Sequence, residues 1–338
     1  MRILVTGGCG FIGSNFIIKQ IHETKNIIGN LDLLTYAGNL DNLVDIENDQ
    51  RYTFYEGDIT NNELVLKVIE DFEPDVLINF AAESHVDRSI NNPLRFIKTN
   101  VLGTAVLLKN SNTYFVNKNS KNKFSFKFLH ISTDEVFGSL GDSGFFDENS
   151  LYRPNSPYSA SKAGSDHLVR SWYHTYKFPT IVTNCSNNFG PYQFPEKLIP
   201  LMITNCIEEK KLPIYGDGLN VRDWLFVNDH CNALNAILNN GNIGETYNIG
   251  GNNEIRNIDL ALIICNMLDK ALPRKNDRQY SELITHVQDR PGHDYRYAID
   301  STKINNELNW TPNETFESGI RKTIDWYLSN QKWWKNLK

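Results

Sequence analysis

Two acids stand side by side in HISTDEVFG, residues 130–138, where Asp134 and Glu135 follow an apolar, β-branched run. Neighbouring side chains of an extended strand point to opposite faces, so both acids can serve one pocket only if the backbone bends after Thr133. Two carboxyls held close resist ionising together, and such a pair divides into an acid and a base. The alternative reading is a helix start, with Ser132, Thr133 or Asp134 as N-cap and Glu135 in the first turn. In NSPYSASKAGSDHL, Tyr158 and Lys162 stand four apart, on one face if the segment is helical. A lysine ammonium beside a phenol lowers the phenol pKa from about 10 toward neutrality. That yields a base for the proton of a sugar hydroxyl while hydride leaves for a nicotinamide.

A hydride needs an acceptor, and the first residues supply a place for one. RILVT (2–6) runs into TGGCGFIGS, with Gly7, Gly10 and Gly13. Glycines there permit a tight turn, close approach of backbone to a pyrophosphate, and close packing of the following helix on the sheet. The helix start adds unpaired N–H groups and a positive dipole end. A glycine triplet alone is a weak signal; a strand before it and an amphipathic helix after it give it the right context. Asp32 lies 19 residues beyond Gly13, where a carboxylate accepts from an adenosine ribose. That charge repels a 2′-phosphate and no arginine follows in DLLTYAGN, so NAD is expected rather than NADP. Asp58, in EGDIT, reads equally as an adenine contact and as a turn residue.

These residues need a scaffold, and the spacing of apolar runs provides one. Strand candidates are residues 2–6, 26–32, 51–58, 75–81, 127–133 and 179–186, with helix candidates at 14–23, 62–72, 93–112 and 158–176. Near-continuous apolar strands alternating with helices predict a parallel sheet covered on both faces. The expected fold is α/β, a Rossmann-type doubly wound parallel sheet with a smaller mixed α/β C-terminal substrate lobe. Beyond about residue 187 proline, glycine and aromatics become denser. Residues 1–187 with a returning segment at about 223–250 are expected to form the NAD-binding domain, and 188–222 with about 251–338 the sugar-nucleotide lobe. The stretch SNTYFVNKNSKNKFSFKF is expected to be a lengthened surface loop, and the basic run at 117–123 a solvated one.

The chain has 338 residues, 40% hydrophobic and 22% charged, with net charge −6. This balance argues against nucleic acid or an anionic membrane as partner. Five cysteines are widely spaced, without metal-ligand or redox spacing, and read as buried thiols of a reducing compartment. The expectation is a cytoplasmic protein without a metal; no run reaches the roughly 18 apolar residues of a membrane span.

GGCGFIG, STDEVFG and YSASK together resemble the extended short-chain dehydrogenase/reductase superfamily. Within its nucleotide-sugar branch the chain is most similar to the dTDP-glucose 4,6-dehydratases, and the resemblance extends over LTYAGNL, AAESHVDRSI, TNVLGT, CSNNFGPYQFPEKLIP, LPIYGDGLNVRDW and DRPGHDYRYAID. It implies a cofactor bed of Gly7, Gly10, Phe11, Ile12 and Gly13, then Asp32, Leu33, Leu34 and Thr35, then Asp58 and Ile59. Phe80, Ala81, Ala82 and Ser84 follow the fourth strand, with Thr99, Tyr158, Lys162 and Asn188 completing the bed. It implies that Tyr158 takes the 4-hydroxyl proton as hydride passes to NAD, with Thr133 bonding the reacting oxygen. Glu135 then removes the carbon 5 proton, and Asp134, kept protonated, protonates the departing 6-hydroxyl. Ser84 and Asp87 would flank the sugar, and Lys197, Arg222 and Arg290 the diphosphate. Asn187, Leu198, Pro213, Ile214, Tyr215, Asn257, Asp289 and His293 fall on segments that meet the substrate in the family. His85 has no step and reads as structural or as loosely lining the site.

Phe137 and Phe189 replace tyrosines common among relatives, and are expected to tune the pocket and leave the chemistry unchanged. Epimerases of the superfamily generally lack an Asp-Glu pair after the strand. Plant-type UDP-glucose dehydratases carry it, which leaves thymine against uracil open. A non-catalytic NAD-binding scaffold should have lost Thr133, Tyr158 or Lys162, and all three are present. Family members are mostly homodimers joined through helices like those at 93–112 and 158–176.

Overall fold

The computed structural model describes residues 1–119 and 125–338. Seven parallel strands form its main sheet: β1 (Arg2–Thr6), β2 (Ile27–Asp32), β3 (Tyr52–Glu56), β4 (Val76–Asn79), β5 (Lys127–Thr133), β6 (Thr180–Cys185) and β10 (Thr246–Ile249). Their order across the sheet is β10-β6-β5-β4-β1-β2-β3. Each strand sends alternate side chains to opposite faces, which explains the unbroken apolar runs. Ile3, Val5, Leu129 and Ile131 enter one core with Phe16, Leu234 and Ile237, while Leu4, Leu77 and Phe128 enter another with Val65, Val68 and Leu107. The sheet reverses its winding between β1 and β4, and a ligand crevice opens there, at the carboxyl ends of the strands.

A second core gathers the C-terminal half. A three-stranded sheet joins β7 (Asn187–Phe189), β9 (Val221–Phe226) and β11 (Glu254–Arg256), and a pair joins β8 (Leu212–Tyr215) to β12 (Ile284–Val287). Ile203, Leu260, Ile264, Ile320, Tyr327 and Trp334 pack behind them. Trp333 Nε1 donates to Asn42 Oδ1 at 2.8 Å, tying the end of the chain to the first half.

The helix candidate at 93–112 is three consecutive pieces: Pro93–Phe96, a π-helical turn Ile97–Gly103, and a helix Thr104–Asn119. That helix runs through much of the stretch expected to be a lengthened loop. Its polar residues mislead, because Tyr114 and Phe115 meet the Phe126 ring, and Phe115 also Phe178, in tilted and edge-on contacts that seat the helix on the core. Residues 120–124, most of the basic run, lie outside the described residues.

Candidate active site

A cleft of about 560 Å³ opens along the switch point. Gly7 takes a left-handed φ of +72°, and a Cβ on it would stand 2.6 Å from Ala81 N; one on Gly13 would stand 2.4 Å from Gly7 O. The turn thus leaves no room for side chains, and the helix Phe11–Glu23 begins at Gly10 without a side-chain cap. Its first N–H groups face the cleft, which suits a pyrophosphate. Asp32 receives Cys9 N at 2.9 Å and Leu34 N at 2.8 Å. Burial raises its pKa, and those backbone donors oppose the rise. Asp58 holds its own turn, accepting from Thr60 N at 2.8 Å, and lines the cleft. Every residue expected in the cofactor bed borders this cleft except Leu34, which sits at the bend with φ 53°. The bed therefore fits a dinucleotide: bare backbone at the turn, uncapped N–H groups and a ribose-level carboxylate.

The end of β5 turns as the acid pair requires. Thr133 caps a single 3-10 turn, Asp134–Phe137, accepting from Glu135 N at 3.3 Å, and Gly138 leaves it with φ 87°. The capping reading therefore holds, and of the two acids only Glu135 borders the cleft. Glu135 reaches the cleft wall. Asp134 lies behind it, 1% exposed, with Oδ1 accepting from the Thr133 hydroxyl at 3.3 Å and Oδ2 without a partner among the described residues. Burial, then the charges of Glu135 and Asp223, raise the Asp134 pKa well above the usual carboxylate range. Burial also raises Glu135, but Arg290, Arg222 and Lys197 pull it back. The two environments differ in the sense an acid and a base need.

Tyr158 and Lys162 lie on the helix Pro157–Tyr176, fixed at its start by a capping box between Ser156 and Ser159. Both border the cleft beside Thr133. The expected lowering of the phenol pKa does not hold in the protein alone. Burial, followed by the charges of Glu135 and Cys185, pushes Tyr158 well above 10, with the Thr133 hydroxyl acting the other way. The Lys162 ammonium is turned to Ile131 O at 2.8 Å.

Beyond the cleft mouth the structure gathers a second set. Asp87 receives Tyr215 OH at 3.0 Å and lies 3.5 Å from Arg290 Nη1, and His293 Nδ1 lies 2.6 Å from Asp289 Oδ1. Lys197 Nζ donates to Ser84 O at 2.9 Å, and both residues line the cleft with Asn187. Asn187 and Asn257 each keep a buried Oδ1 without a partner among the described residues. Arg222, expected at the diphosphate, sits on β9 within electrostatic reach of both acids. Its guanidinium is buried over the Tyr297 ring and bonds the Val221, Tyr295 and Asp294 carbonyls, behind the acid pair. Ile214 points into the second core, Leu198 packs against that core, and Pro213 is half-buried on β8 beside them. Phe137 stacks on Phe146 and Tyr152, and Phe189 packs among Trp224, Phe226 and Phe316. Both are core residues, so neither tunes the pocket. His85 stays off the cleft, 3.7 Å from Glu196.

Sequence reasoning passed over several groups. Asn100, in the π-helical turn, bonds the Glu83 backbone through both amide atoms and reaches Ser161 Oγ at 2.8 Å. Tyr36 lies under the Arg88 guanidinium at 3.7 Å, and Arg88 pairs with Glu196 at 2.9 Å, near the cleft mouth. Asp166, four residues beyond Lys162, was legible from spacing alone.

A family model described as GDP-mannose 4,6 dehydratase matches residues 4–323. A dTDP-glucose 4,6-dehydratase of Shigella flexneri is 54% identical, over 100% of this chain and 96% of its own. The solved dTDP-glucose 4,6-dehydratase of Bacillus anthracis, in complex with NAD, superposes with TM-score 0.88 at 48% identity, covering 100% of both chains. That of Streptomyces venezuelae, also with NAD bound, gives 0.92 at 42%, again over 100% of both. With the buried acid pair set at the head of a dinucleotide cleft, the chain belongs to the dTDP-glucose 4,6-dehydratase family.

Proposed function

We infer that the protein converts dTDP-glucose to dTDP-4-dehydro-6-deoxy-glucose and water with tightly held NAD, as a step of deoxysugar (rhamnose) biosynthesis. The observation that carries this is the acid pair: two carboxyls both raised by burial, Glu135 more strongly offset by cations than Asp134, beside a Tyr-x-x-x-Lys helix. Bound NAD supplies the hydride acceptor and donor and a positive nicotinamide ring, which favours the phenolate that burial opposes. Tyr158 removes the 4-hydroxyl proton, with the Thr133 hydroxyl fixing that oxygen. The ketone formed at carbon 4 acidifies carbon 5, and Glu135, held as the carboxylate against burial by Arg290, Arg222 and Lys197, takes the proton there. Asp134, protonated through burial, hands a proton to the carbon 6 oxygen, which leaves as water; as hydride would return to carbon 6, Glu135 gives its proton back to carbon 5, completing the 6-deoxy product. Gly7 to Gly13, Asp32, Asp58 and Thr99 hold the dinucleotide; Lys197, Arg290, Asp87 and Asn187 orient the sugar nucleotide.

We assign residues 1–187 with about 223–250 to the cofactor and the remainder to the sugar nucleotide; the cores cross that line, since Trp224 and Phe226 pack in the C-terminal core and Ile304 and Trp310 under the main sheet. We also assign a homodimer, since Leu94, Ile97 and Leu102 leave an apolar face of 74%, 51% and 50% exposure on the segment 93–103. Sedimentation at graded concentration tests it. Five free, buried cysteines suit a cytoplasmic protein, and no helix among the described residues is long and apolar enough to cross a membrane. An epimerase would have no use for the acid pair; UDP-glucose as substrate is decided by parallel assays. The reaction is tested with dTDP-glucose deuterated at carbon 4. The label should appear at carbon 6 of a 4-keto-6-deoxy product without net loss of NAD. Label retained at carbon 4 of an epimerised sugar refutes the assignment.

A further inference from the structure

Tyr158 and Lys162 begin a stripe that continues one step further. Asp166, at the same spacing on the same helix, is fully buried, and no step above uses it. Its Oδ2 accepts from Ser132 Oγ at 2.7 Å, Tyr152 OH at 3.0 Å and Asn184 Nδ2 at 3.4 Å. Its Oδ1 lies 3.3 Å from His130 Nε2. That histidine is not a counter-charge, because burial and the Lys162 ammonium hold its pKa down to about 4. Its tautomer follows from the bonds around it. Asn79 Oδ1 accepts from Thr6 Oγ1 at 2.7 Å, so the Asn79 amide donates to His130 Nδ1 at 3.2 Å and Nε2 carries the proton. Arg170, one turn beyond Asp166, is turned to the Thr246 hydroxyl at 3.0 Å and over the Tyr152 ring.

Lys162, one turn before, bonds Ile131 O and makes no direct ion pair with Asp166, but the Asp166 and Cys185 charges favour its ammonium form against burial, and His130 feels both Lys162 and Asp166. These two side chains tie the helix to consecutive residues of β5. Lys162 Nζ donates to Ile131 O at 2.8 Å, and Asp166 accepts from Ser132 Oγ, one residue short of Thr133. Asn184 completes the tie by donating to Thr133 O at 3.1 Å as well as to Asp166. Resting on Tyr158 as the base, we propose that Asp166 is a positioning residue. Through Ser132 and Asn184, alongside the Lys162–Ile131 bond, it locks the helix in register on β5 and so sets Tyr158 beside Thr133.

Asp166→Asn removes the charge while keeping the size and one acceptor. It should lower kcat on the order of 10²-fold with little change in KM. The alkaline limb of the kcat profile should move to lower pH, because Lys162 loses the anion that favours its ammonium form. An unchanged alkaline limb overturns the proposal, whatever the rate. A stability cycle reads the pair without turnover: the Lys162→Met/Asp166→Asn double variant should unfold at a higher temperature than Lys162→Met, which leaves a lone buried anion. Additive losses, or failure of both Asp166→Asn and the double variant to fold, would reduce Asp166 to a structural anchor and overturn the proposal. No substrate enters this cycle, so it decides the coupling even if the reaction assigned above fails its deuterium test.

Discussion

The two ends of the cleft are built in different ways. At the cofactor end the work is done by backbone: Gly7 and Gly13 approach their neighbours too closely for any side chain, and a helix start is left uncapped. At the acid-pair end the work is done by charge: Asp134, Lys162 and Arg222 are withdrawn from water, Glu135 stands half-buried at the cleft wall, and each pKa is displaced from its ordinary value, with burial the first cause. The first end can fail only by losing space. The second can fail by degrees, through any change in charge or pH. Steric demands are met by a short contiguous motif, whereas electrostatic ones are assembled from β5, the helix Pro157–Tyr176 and the loops around β9 and β12.

The sharpest break belongs to the steric end. Gly7→Val should abolish bound NAD and activity together, since a left-handed φ of 72° and Ala81 N at 2.6 Å both exclude it. The check is the nicotinamide content of the purified protein; a full complement of cofactor would contradict the assignment. Next comes Asp134→Asn, which should cost about 10²–10⁴-fold in turnover by removing the acid. Its stability effect has the opposite sign. Asp134 has a raised pKa in the fold, so the wild type loses stability as pH climbs from the unfolded value toward the folded one. The variant escapes that loss, and its Tm should exceed that of the wild type by more at pH 8 than at pH 4.

Smaller effects test the cations. Arg290→Ala removes a charge-assisted donor, and a loss of about 1.5–3 kcal/mol should raise KM for the sugar nucleotide. Arg290 is also the first of the groups holding the Glu135 pKa down. Glu135 works as the carboxylate, so its activity fades as pH falls through its pKa. Without Arg290 that acidic limb should move to higher pH, and a limb that stays put would remove Arg290 from the pair. The smallest effect on chemistry belongs to Phe137→Tyr. Stacked on Phe146 at 5.1 Å, the ring would bring a hydroxyl into the core, costing about 1–3 kcal/mol of stability with kcat unchanged.

The same contrast explains what was legible in the sequence. The strand–glycine–helix turn and Asp32 could be read because one residue type at fixed spacing dictates a backbone path. The parallel sheet followed from apolar runs that feed two cores at once. Arg222 could not be read, because its partners are the carbonyls of Asp294 and Tyr295, some seventy residues on. Four-residue spacing shows that Lys162 shares the face of Tyr158, but not that its ammonium is turned to Ile131 O or that burial in the protein alone raises the phenol pKa. The helix at Thr104–Asn119 hid behind polar composition, its core contacts supplied by Phe126 and Phe178 across the fold. Phe137 and Phe189 look like pocket residues because they flank site motifs, and only packing reveals them as core.

The central claim is that the acid pair turns an oxidation into a dehydration. It is tested most directly by rapid mixing of Glu135→Gln with dTDP-glucose while NADH absorbance is followed. With Tyr158, Thr133 and the cofactor bed intact, NADH should accumulate and persist alongside a 4-keto sugar nucleotide that keeps its 6-hydroxyl. Elimination of water at the wild-type rate, with no build-up of NADH, would contradict the account.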